Sequence, residues 1–237
     1  MASIIELTGN IFSSEAEAIV ITVNCEGVMG AGIALDAKNR WPMIYDSYSK
    51  KCELNKFQIG DVMWDQANSK QVALFPSKNL WRAPSKISYL RVGLETLRTD
   101  IICKSITSIA VPHLGCSNGG LTWSDVKPLI VEKLSDIEKL TIELWEFDQN
   151  FIDQDFEKFR KVFLLLNNRD ASTWVNLSKS TEKLMREILS NSELTNFIQL
   201  SEIKGIGNKT LEKIYKAALG RDYPIIQSSI DFDGLVI

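Results

Sequence analysis

The chain has 237 residues, of which 45% are hydrophobic and 24% charged, the composition of one large or two small folded domains. Its formal net charge of −3 excludes a protein that binds nucleic acid through overall basic character. The N-terminus has no basic segment followed by an apolar core, and no stretch reaches membrane-spanning length. We therefore expect a cytoplasmic protein with no membrane association.

The cysteines and the histidine give no sign of a metal or disulfide framework. Cys25, Cys52, Cys103 and Cys116 form no CxxC pair, which favours reduced thiols. Together with the single histidine, His113, they offer no zinc-binding set. We expect neither a metal nor a cofactor.

Strands and helices alternate through residues 1–149. Apolar or alternating runs predict strands at Ser3–Leu7, Ala16–Asn24, Asp61–Asp65, Gln71–Phe75, Ser105–Val111 and Leu140–Phe147. Helical spacing predicts helices at Ile33–Asn39, Pro42–Glu53, Pro84–Cys103 and Ser124–Leu134. Ser124 suits an N-cap, and Asn68-Ser69 marks a hairpin between the third and fourth strands. The pattern predicts an α/β fold with a mixed sheet and helices on both faces.

The pattern changes near Gln149. From there on, helices are predicted at Asp153–Leu166, Lys179–Leu189, Glu193–Glu202 and Asn208–Leu219. We predict two domains, an α/β domain over 1–149 and a small all-α domain over 150–237.

Two glycine-bearing loops, Asn24–Gly32 and Leu114–Leu121, each follow an apolar strand and precede a helix. Glycine lets a backbone approach a ligand closely, and amides at a helix start favour phosphate. Ligands bind at the carboxyl ends of strands in such sheets, so the two loops could hold a diphosphate between them. An ordinary strand–loop–helix corner explains either loop alone.

Three blocks of sequence carry a resemblance: NCEGVMGAGIALDAKNRWP, FPSKNLWR and VPHLGCSNGGLTWSDVKPLI. They are similar to the macrodomain family, in its DarG-like branch of DNA ADP-ribosyl glycohydrolase antitoxins, over Ile4–Trp145. The resemblance implies a three-layer α/β/α fold that holds ADP-ribose in a cleft. The residues it assigns to ADP-ribose are Asn10, Ile11, Asn24, Gly27, Val28, Met29, Gly30, Ala31, Gly32, Leu114, Gly115, Cys116, Ser117, Asn118, Gly119, Gly120 and Leu121.

By the same resemblance, parts of the ligand fall to different segments. Asn10 and Ile11 would lie at the adenine end, where many macrodomains have aspartate, and Asn10 still offers a neutral acceptor. Asn24 would contact the distal ribose. Gly27–Gly32 would surround the diphosphate and distal ribose, while Gly115–Leu121 would close over the phosphates from the other side.

Lys78 matches the lysine that the DarG-like branch uses for catalysis. A neutral amine, favoured by a nearby cation such as Arg82, can attack C1″ and form a Schiff-base-type intermediate, or the side chain can act as a general acid or base. The alternative is a solvated surface lysine. This chain has Leu80 where DarG-like sequences have histidine, and Ser117 where they have glycine. His113 is expected to be a structural residue after a buried strand.

Cations and aromatic residues interleave from the lysine into the following helix: Lys78, Trp81, Arg82, Lys86, Tyr89 and Arg91. Cations neutralise phosphates and aromatic faces stack on bases, so Trp81, Arg82 and Lys86 are candidate contacts to DNA. The alternative is a solvated helix face with Tyr89 and Trp81 packed inward. Ser201–Ile214, SEIKGIGNKTLEKI, resembles half of a helix-hairpin-helix and adds Gly205, Gly207 and Lys209 as candidates. A helix–turn–helix corner with glycine as C-cap explains the same pattern.

Three functions remain open at this point. The first is an ADP-ribosyl glycohydrolase that removes ADP-ribose from a base in DNA, with thymidine the expected base and Lys78 catalytic. The second is an ADP-ribose reader that docks a protein partner through the C-terminal helices. The third is a hydrolase of ADP-ribose esters on protein or small metabolites.

Overall fold

The computed structural model describes residues 1–67, 69–190 and 193–220. The chain folds as two compact units, Met1–Phe151 and a second unit that begins at Ile152.

In the described part of the first unit, six strands form one mixed sheet. They are β1 (Ser3–Gly9), β2 (Ala18–Val23), β3 (Met63–Ala67), β4 (Lys70–Pro76), β5 (Ser108–Pro112) and β6 (Thr141–Phe147). The order is β1-β6-β5-β2-β4-β3, with β3 antiparallel to β4 and the other neighbours parallel. The helices are α1 (Gly32–Arg40), α2 (Pro42–Glu53), α3 (Ile87–Lys104) and α4 (Trp123–Leu134). The predicted α/β fold with a mixed sheet is confirmed.

Side chains of β2 explain why the sheet is covered on both faces. Ala18 and Val20 pack into the core that includes the apolar faces of α3 and α4. Ile19 and Ile21, which alternate with them, pack into the second core with α1 and α2. Full burial of each large aliphatic side chain contributes about 1.5–3 kcal/mol. The central strands are therefore fixed in register, and so are the positions at which their carboxyl ends emerge.

α3 is anchored by a buried stripe at helical spacing: Leu90, Leu94, Leu97 and Ile101. It begins at Ile87 rather than at the predicted Pro84, because its N-cap, Lys86, has extended backbone angles, φ −132° and ψ 142°. It is followed by Ser105 as C-cap, with φ +57° in the left-handed region. That cap uses the residue predicted to begin the next strand, so β5 begins at Ser108.

Two further local predictions differ from the structure. The N-cap of α4 is Thr122 and not Ser124, which already lies inside the helix. The Thr122 hydroxyl donates to the Asp125 carboxylate at 2.6 Å, a side-chain contact across the first turn. β3 begins at Met63 rather than Asp61, and Asn68 of the predicted hairpin turn lies outside the described residues.

The described part of the second unit is helical, with α5 (Gln154–Leu165), α6 (Asn168–Val175), α7 (Lys179–Leu189), α8 (Phe197–Ser201) and α9 (Asn208–Leu219). Its own core includes Phe156, Phe159, Phe163, Phe197 and Tyr215. α6 is absent from the sequence prediction, since it is short and polar. α8 begins later than the predicted Glu193, because the Asn196 side chain caps it by accepting from the Gln199 N–H at 2.9 Å. Among the residues that the structure describes, no helix is both long and apolar enough to span a membrane.

Candidate active site

Asn24, which directly follows β2, uses its side chain to fold the first glycine loop. Its carboxamide oxygen accepts from the N–H groups of Glu26 at 2.9 Å and Val28 at 3.3 Å. Its Nδ2 donates to the Val28 carbonyl at 2.6 Å, and the buried Tyr48 hydroxyl donates to the Asn24 carbonyl at 2.8 Å. Burial raises the pKa of Tyr48, so the phenol stays a neutral donor. Asn24 thus holds the loop in shape, and its contact with a ribose stays a prediction.

Two glycines of the first loop allow close packing. Gly27 has φ +79°, and a Cβ there would lie 3.3 Å from Ser49 Oγ on α2. Gly32 has φ +55°, and a Cβ there would lie 3.4 Å from Asn118 Nδ2 in the second loop. α1 starts at this point with Ala31 as N-cap and no side-chain cap. Its first N–H groups can therefore serve an anion where the two loops meet.

The second loop follows β5 and is folded tightly on itself. The Leu121 N–H donates to the Gly115 carbonyl at 3.0 Å. Gly115 and Gly120 have φ of +68° and +77°, which glycine adopts readily. Gly119 has no room for a side chain, because a Cβ would lie 2.2 Å from the Gly115 carbonyl oxygen. The backbone of this loop is thus specified by glycine at three positions.

The residues assigned to ADP-ribose differ in exposure. The exposed ones are Gly30, Ala31, Gly32, Ser117, Asn118 and Gly120. The half-buried ones are Asn10, Val28, Gly115, Cys116 and Leu121. The buried ones are Ile11, Asn24, Gly27, Met29, Leu114 and Gly119. The exposed set supplies the surface that a ligand can reach, while the buried set shapes the loops beneath it.

Lys78 lies beyond the end of β4, with its ammonium directed to the second loop. β4 runs parallel to β2, with Val23 opposite Pro76, so the first loop and Lys78 emerge at the same edge of the sheet. Lys78 Nζ donates to the Asn118 carbonyl of the second loop and, at 3.5 Å, to the Trp81 carbonyl. The fold therefore brings the predicted catalytic amine to one of the two predicted phosphate loops.

The segment that carries Lys78, residues 77–86, is attached to both loops. The Glu26 carboxylate of the first loop accepts from the Trp81 N–H at 2.6 Å. The Ser85 N–H donates to the carbonyl of Gly119 in the second loop at 2.9 Å. The sequence analysis singled out neither Glu26 nor Ser85, because their relation to the site depends on contacts between residues distant in sequence. A serine between a proline and a helix start is the one local signal that could have drawn attention to Ser85.

The predicted adenine end lies after β1. Asn10 Oδ1 accepts from the Phe12 N–H at 3.1 Å and begins a 3-10 turn at Ile11–Ser13. Ile11 is buried, and the turn contacts β5, the strand that leads to the second loop. The Asn10 carboxamide oxygen keeps one lone pair beyond this bond. The arrangement is compatible with the predicted acceptor role.

The cations after Lys78 are engaged with aromatic rings and a carboxylate. The Arg82 guanidinium lies 4.4 Å from the Trp81 ring centre, and Lys86 Nζ lies 5.3 Å from that of Tyr89. Trp81 is 45% exposed, so it is not packed inward as a solvated-face interpretation requires. Arg91 pairs with a carboxylate of α4 at 3.1 Å. The exposed Trp81–Arg82 stack is a surface on which a base could stack.

His113 stacks on Trp123, with ring centres 3.7 Å apart and planes 16° from parallel. Burial lowers the pKa of His113, which favours the neutral imidazole. This packing agrees with a structural role. Across the described ranges 1–67, 69–190 and 193–220, no group of three or more His, Cys, Asp or Glu side chains is arranged to hold a metal ion.

The helix-hairpin-helix-like element is formed by α8, a short hairpin and α9. Gly205 has φ +102°, and a Cβ there would lie 2.9 Å from Leu184 Cδ2. Gly207 is the N-cap of α9, with open space where a Cβ would point. Lys209 is exposed in the first turn. The geometry agrees with the predicted hairpin, and its contact with DNA remains a prediction.

Glycine loops at the carboxyl ends of parallel strands, with helices on both faces, define an α/β domain suited to a phosphate-bearing ligand. The Macro domain family matches residues 20–130, a range that includes most of this site with Lys78. Together with the solved structures below, this match shows that the chain belongs to the macrodomain family.

Curated relatives are similar to the first unit. The chain is 41% identical over 138 residues to a DNA ADP-ribosyl glycohydrolase of Mycobacterium tuberculosis, a match that covers 55% of this chain and 39% of the relative. It is 39% identical over 148 residues to the protein of that name from Thermus aquaticus, covering 59% of this chain and 39% of the relative. The chain thus spans about two-fifths of the length of these relatives.

Solved structures agree with this assignment. The macrodomain of Mycobacterium tuberculosis DarG superposes with a TM-score of 0.60 at 37% identity, covering 61% of this chain and 98% of that one. The macrodomain of Thermus aquaticus DarG gives 0.59 at 37% identity, covering 62% and 99%. Thermosipho africanus DarTG, solved in complex with ADP-ribose, gives 0.55 at 27% identity, covering 63% and 42%. The predicted resemblance to DarG-like macrodomains is confirmed.

Proposed function

We propose that this protein is a DNA ADP-ribosyl glycohydrolase, which removes ADP-ribose from a modified base in DNA, with thymidine the base we expect. The observation that carries the proposal is the position of Lys78 Nζ, which donates to the carbonyl of Asn118 in the second glycine loop. An amine at that point is within reach of a sugar whose diphosphate the loops hold. The names of the curated relatives support this activity.

In the proposed complex, the two loops bind the diphosphate through backbone N–H groups and the start of α1. Asn10 and Ile11 take the adenine end. The distal ribose lies beside the first loop, whose conformation depends on the Asn24 carboxamide. This arrangement leaves C1″ of the distal ribose facing Lys78.

Cleavage breaks the bond between C1″ and the base nitrogen, and the base leaves with the bonding electrons and takes up a proton. In one route the neutral Lys78 amine attacks C1″, the adduct opens to a Schiff base, and water hydrolyses it to ADP-ribose and free lysine. In the other, the ammonium gives its proton to the departing base while water attacks C1″. Borohydride reduction distinguishes the routes, because it traps ADP-ribose on Lys78 only in the first.

The exposed Trp81–Arg82 stack would hold the modified strand next to Lys78. Stacking on Trp81 suits any unpaired base, while Arg82 and Lys86 can neutralise the flanking phosphates. Gly205, Gly207 and Lys209 would add a second contact to the DNA backbone. We expect single-stranded substrate to be preferred, since the base must be out of the duplex to reach the amine.

A partner enzyme follows from this activity. One relative, from Thermosipho africanus, is a fusion of a DNA ADP-ribosyl transferase with a DNA ADP-ribosyl glycohydrolase. We propose that this protein likewise reverses the product of a DNA ADP-ribosyl transferase and so acts as an antitoxin. The helical second unit is the candidate surface for a protein partner.

A reader of ADP-ribose is the second candidate. It is favoured by the two carbonyls that accept from Lys78 Nζ, since these hydrogen bonds occupy the nitrogen that would have to attack C1″. The Leu80 side chain also brings no titratable group beside the lysine.

One experiment separates the candidates. The protein is incubated with single-stranded oligonucleotides ADP-ribosylated on thymidine or guanine, and released ADP-ribose is measured by chromatography. Release from the thymidine substrate supports the proposal. Tight binding of ADP-ribose without release from DNA, protein or ester substrates would contradict it and favour the reader, whereas release from ester substrates alone would favour the ester hydrolase.

A further inference from the structure

The Ser85 hydroxyl is a buried polar group without a hydrogen-bond partner among the described residues. The side chain is 5% exposed and lies beneath the second glycine loop. Burial of an unpaired hydroxyl is costly compared with a paired one, so native structures hold few of them. Such a group at a functional loop calls for a physical explanation.

The hydroxyl points at the two glycines that determine the shape of the loop. Its oxygen would lie 2.3 Å from a Cβ on Gly119 and 2.9 Å from one on Gly115. The Gly115 carbonyl oxygen would lie 2.2 Å from the same Cβ position on Gly119. The Ser85 hydroxyl and the Gly115 carbonyl therefore both lie next to the position of a Cβ on Gly119, but they are not hydrogen-bonded to each other.

The Gly115 carbonyl has capacity for a second donor. It accepts from the Leu121 N–H at 3.0 Å, which uses one of its two lone pairs. The Ser85 backbone is already fixed to the loop, since its N–H donates to the Gly119 carbonyl at 2.9 Å. Because both oxygens lie within 2.3 Å of the same Cβ position, they are close neighbours, and the carbonyl is the nearby acceptor with a free lone pair.

We propose that Ser85 is a positioning residue that stabilises the ligand-bound conformation of the second loop. When the diphosphate of ADP-ribose binds the loop amides, the Gly115 carbonyl moves within reach and accepts a hydrogen bond from the Ser85 hydroxyl. The free protein bears the unpaired hydroxyl, and the bound protein recovers the bond, so Ser85 raises ligand affinity at the expense of free-state stability. This inference rests on the proposed binding of ADP-ribose by the loop.

The test is the Ser85→Ala variant, measured by calorimetric titration with ADP-ribose and by thermal melting without ligand. Removing an unpaired hydroxyl should leave the melting temperature of the free protein equal to or above that of the wild type. The same change should weaken ADP-ribose affinity by about fivefold, the effect of one neutral hydrogen bond. If the role of Ser85 were purely structural, Ser85→Ala would instead lower the melting temperature and leave the affinity for ADP-ribose unchanged.

Thr96→Val is the matched control. The Thr96 hydroxyl donates to the Gly60 carbonyl at 2.6 Å, so its loss should lower the melting temperature and leave affinity unchanged. Unchanged affinity in Ser85→Ala, in a protein whose wild type binds ADP-ribose, overturns this inference alone. Absence of ADP-ribose binding by the wild type overturns it together with the proposed function.

Discussion

Gly119→Ala is expected to lower the stability of the protein by a steric clash within the second loop, beyond any effect of the backbone preferences of alanine and glycine. The added methyl carbon would lie 2.2 Å from the Gly115 carbonyl oxygen and 2.3 Å from Ser85 Oγ, well inside van der Waals contact. The first neighbour is backbone and cannot turn away, so the loop itself must shift. Overpacking at a tight site costs about 3 kcal/mol at the upper end.

For a domain of this size, that cost corresponds to a fall in melting temperature of about 6–12 °C. ADP-ribose affinity should fall as well, because the shifted loop no longer directs its amides at the diphosphate. Differential scanning calorimetry and titration with ADP-ribose measure the two effects. Adding Ser85→Ala should recover only part of the stability, since it relieves one of the two clashes.

Gly30→Ala is the matched control in the first loop. Its Cβ would meet only Val28 Cγ1, at an ordinary contact distance of 3.7 Å, so the melting temperature should not change. If Gly119→Ala has the same melting temperature as the wild type, the geometry assigned to the second loop is wrong.

Three other predictions follow from contacts and burial. Glu26→Ala removes the acceptor for the Trp81 N–H and should lower turnover about fivefold, whereas Glu26→Gln keeps an acceptor oxygen and should retain most of the wild-type turnover. Equal losses of turnover in both variants would show that the charge of Glu26, and not the hydrogen bond, matters. Burial lowers the pKa of His113 from its ordinary value near 6.5, so protonation opposes folding and stability should fall as the pH is lowered through about 6.5. His113→Phe should flatten this fall in thermal melts, and an unchanged pH profile would refute the assignment. Burial raises the pKa of Cys25 to about 12, so iodoacetamide should label exposed Cys103 first, as read by mass spectrometry; faster labelling of Cys25 would contradict its burial.

The layer architecture and the position of the loops could be predicted from local sequence. Apolar runs such as β2 identify strands buried on both faces, and Pro42 fixes the start of α2. The two glycine loops then fall at strand ends by chain order alone. The predictions were wrong at element boundaries where neighbouring residues of similar chemistry could each serve as the cap, as with Thr122 in place of Ser124 at the start of α4.

The contacts that organise the site could not be predicted, because they join residues far apart in sequence. The Glu26 carboxylate meets the Trp81 N–H, and Ser85 meets Gly119, only once the sheet has brought their strands together. The role of Asn24 in the loop illustrates the same limit. Its carboxamide bonds to Glu26 and Val28 fold the first loop, which residue type alone did not indicate, while its ribose contact stays a prediction.

Lys78 is the group on which enzyme and reader differ. The Nζ atom donates to two carbonyls in this structure, so a nucleophilic role requires the amine to lose a proton and give up those bonds. Asn118 belongs to the second loop, so one of these bonds joins the amine to the loop that is predicted to hold the phosphates.

The role of Lys78 in catalysis is best measured with Lys78→Ala on a thymidine-ADP-ribosylated oligonucleotide. We expect ADP-ribose release to fall by at least about a thousandfold, while ADP-ribose binding stays within about threefold of the wild type. Full release by the variant would contradict the assignment of Lys78 as the catalytic residue.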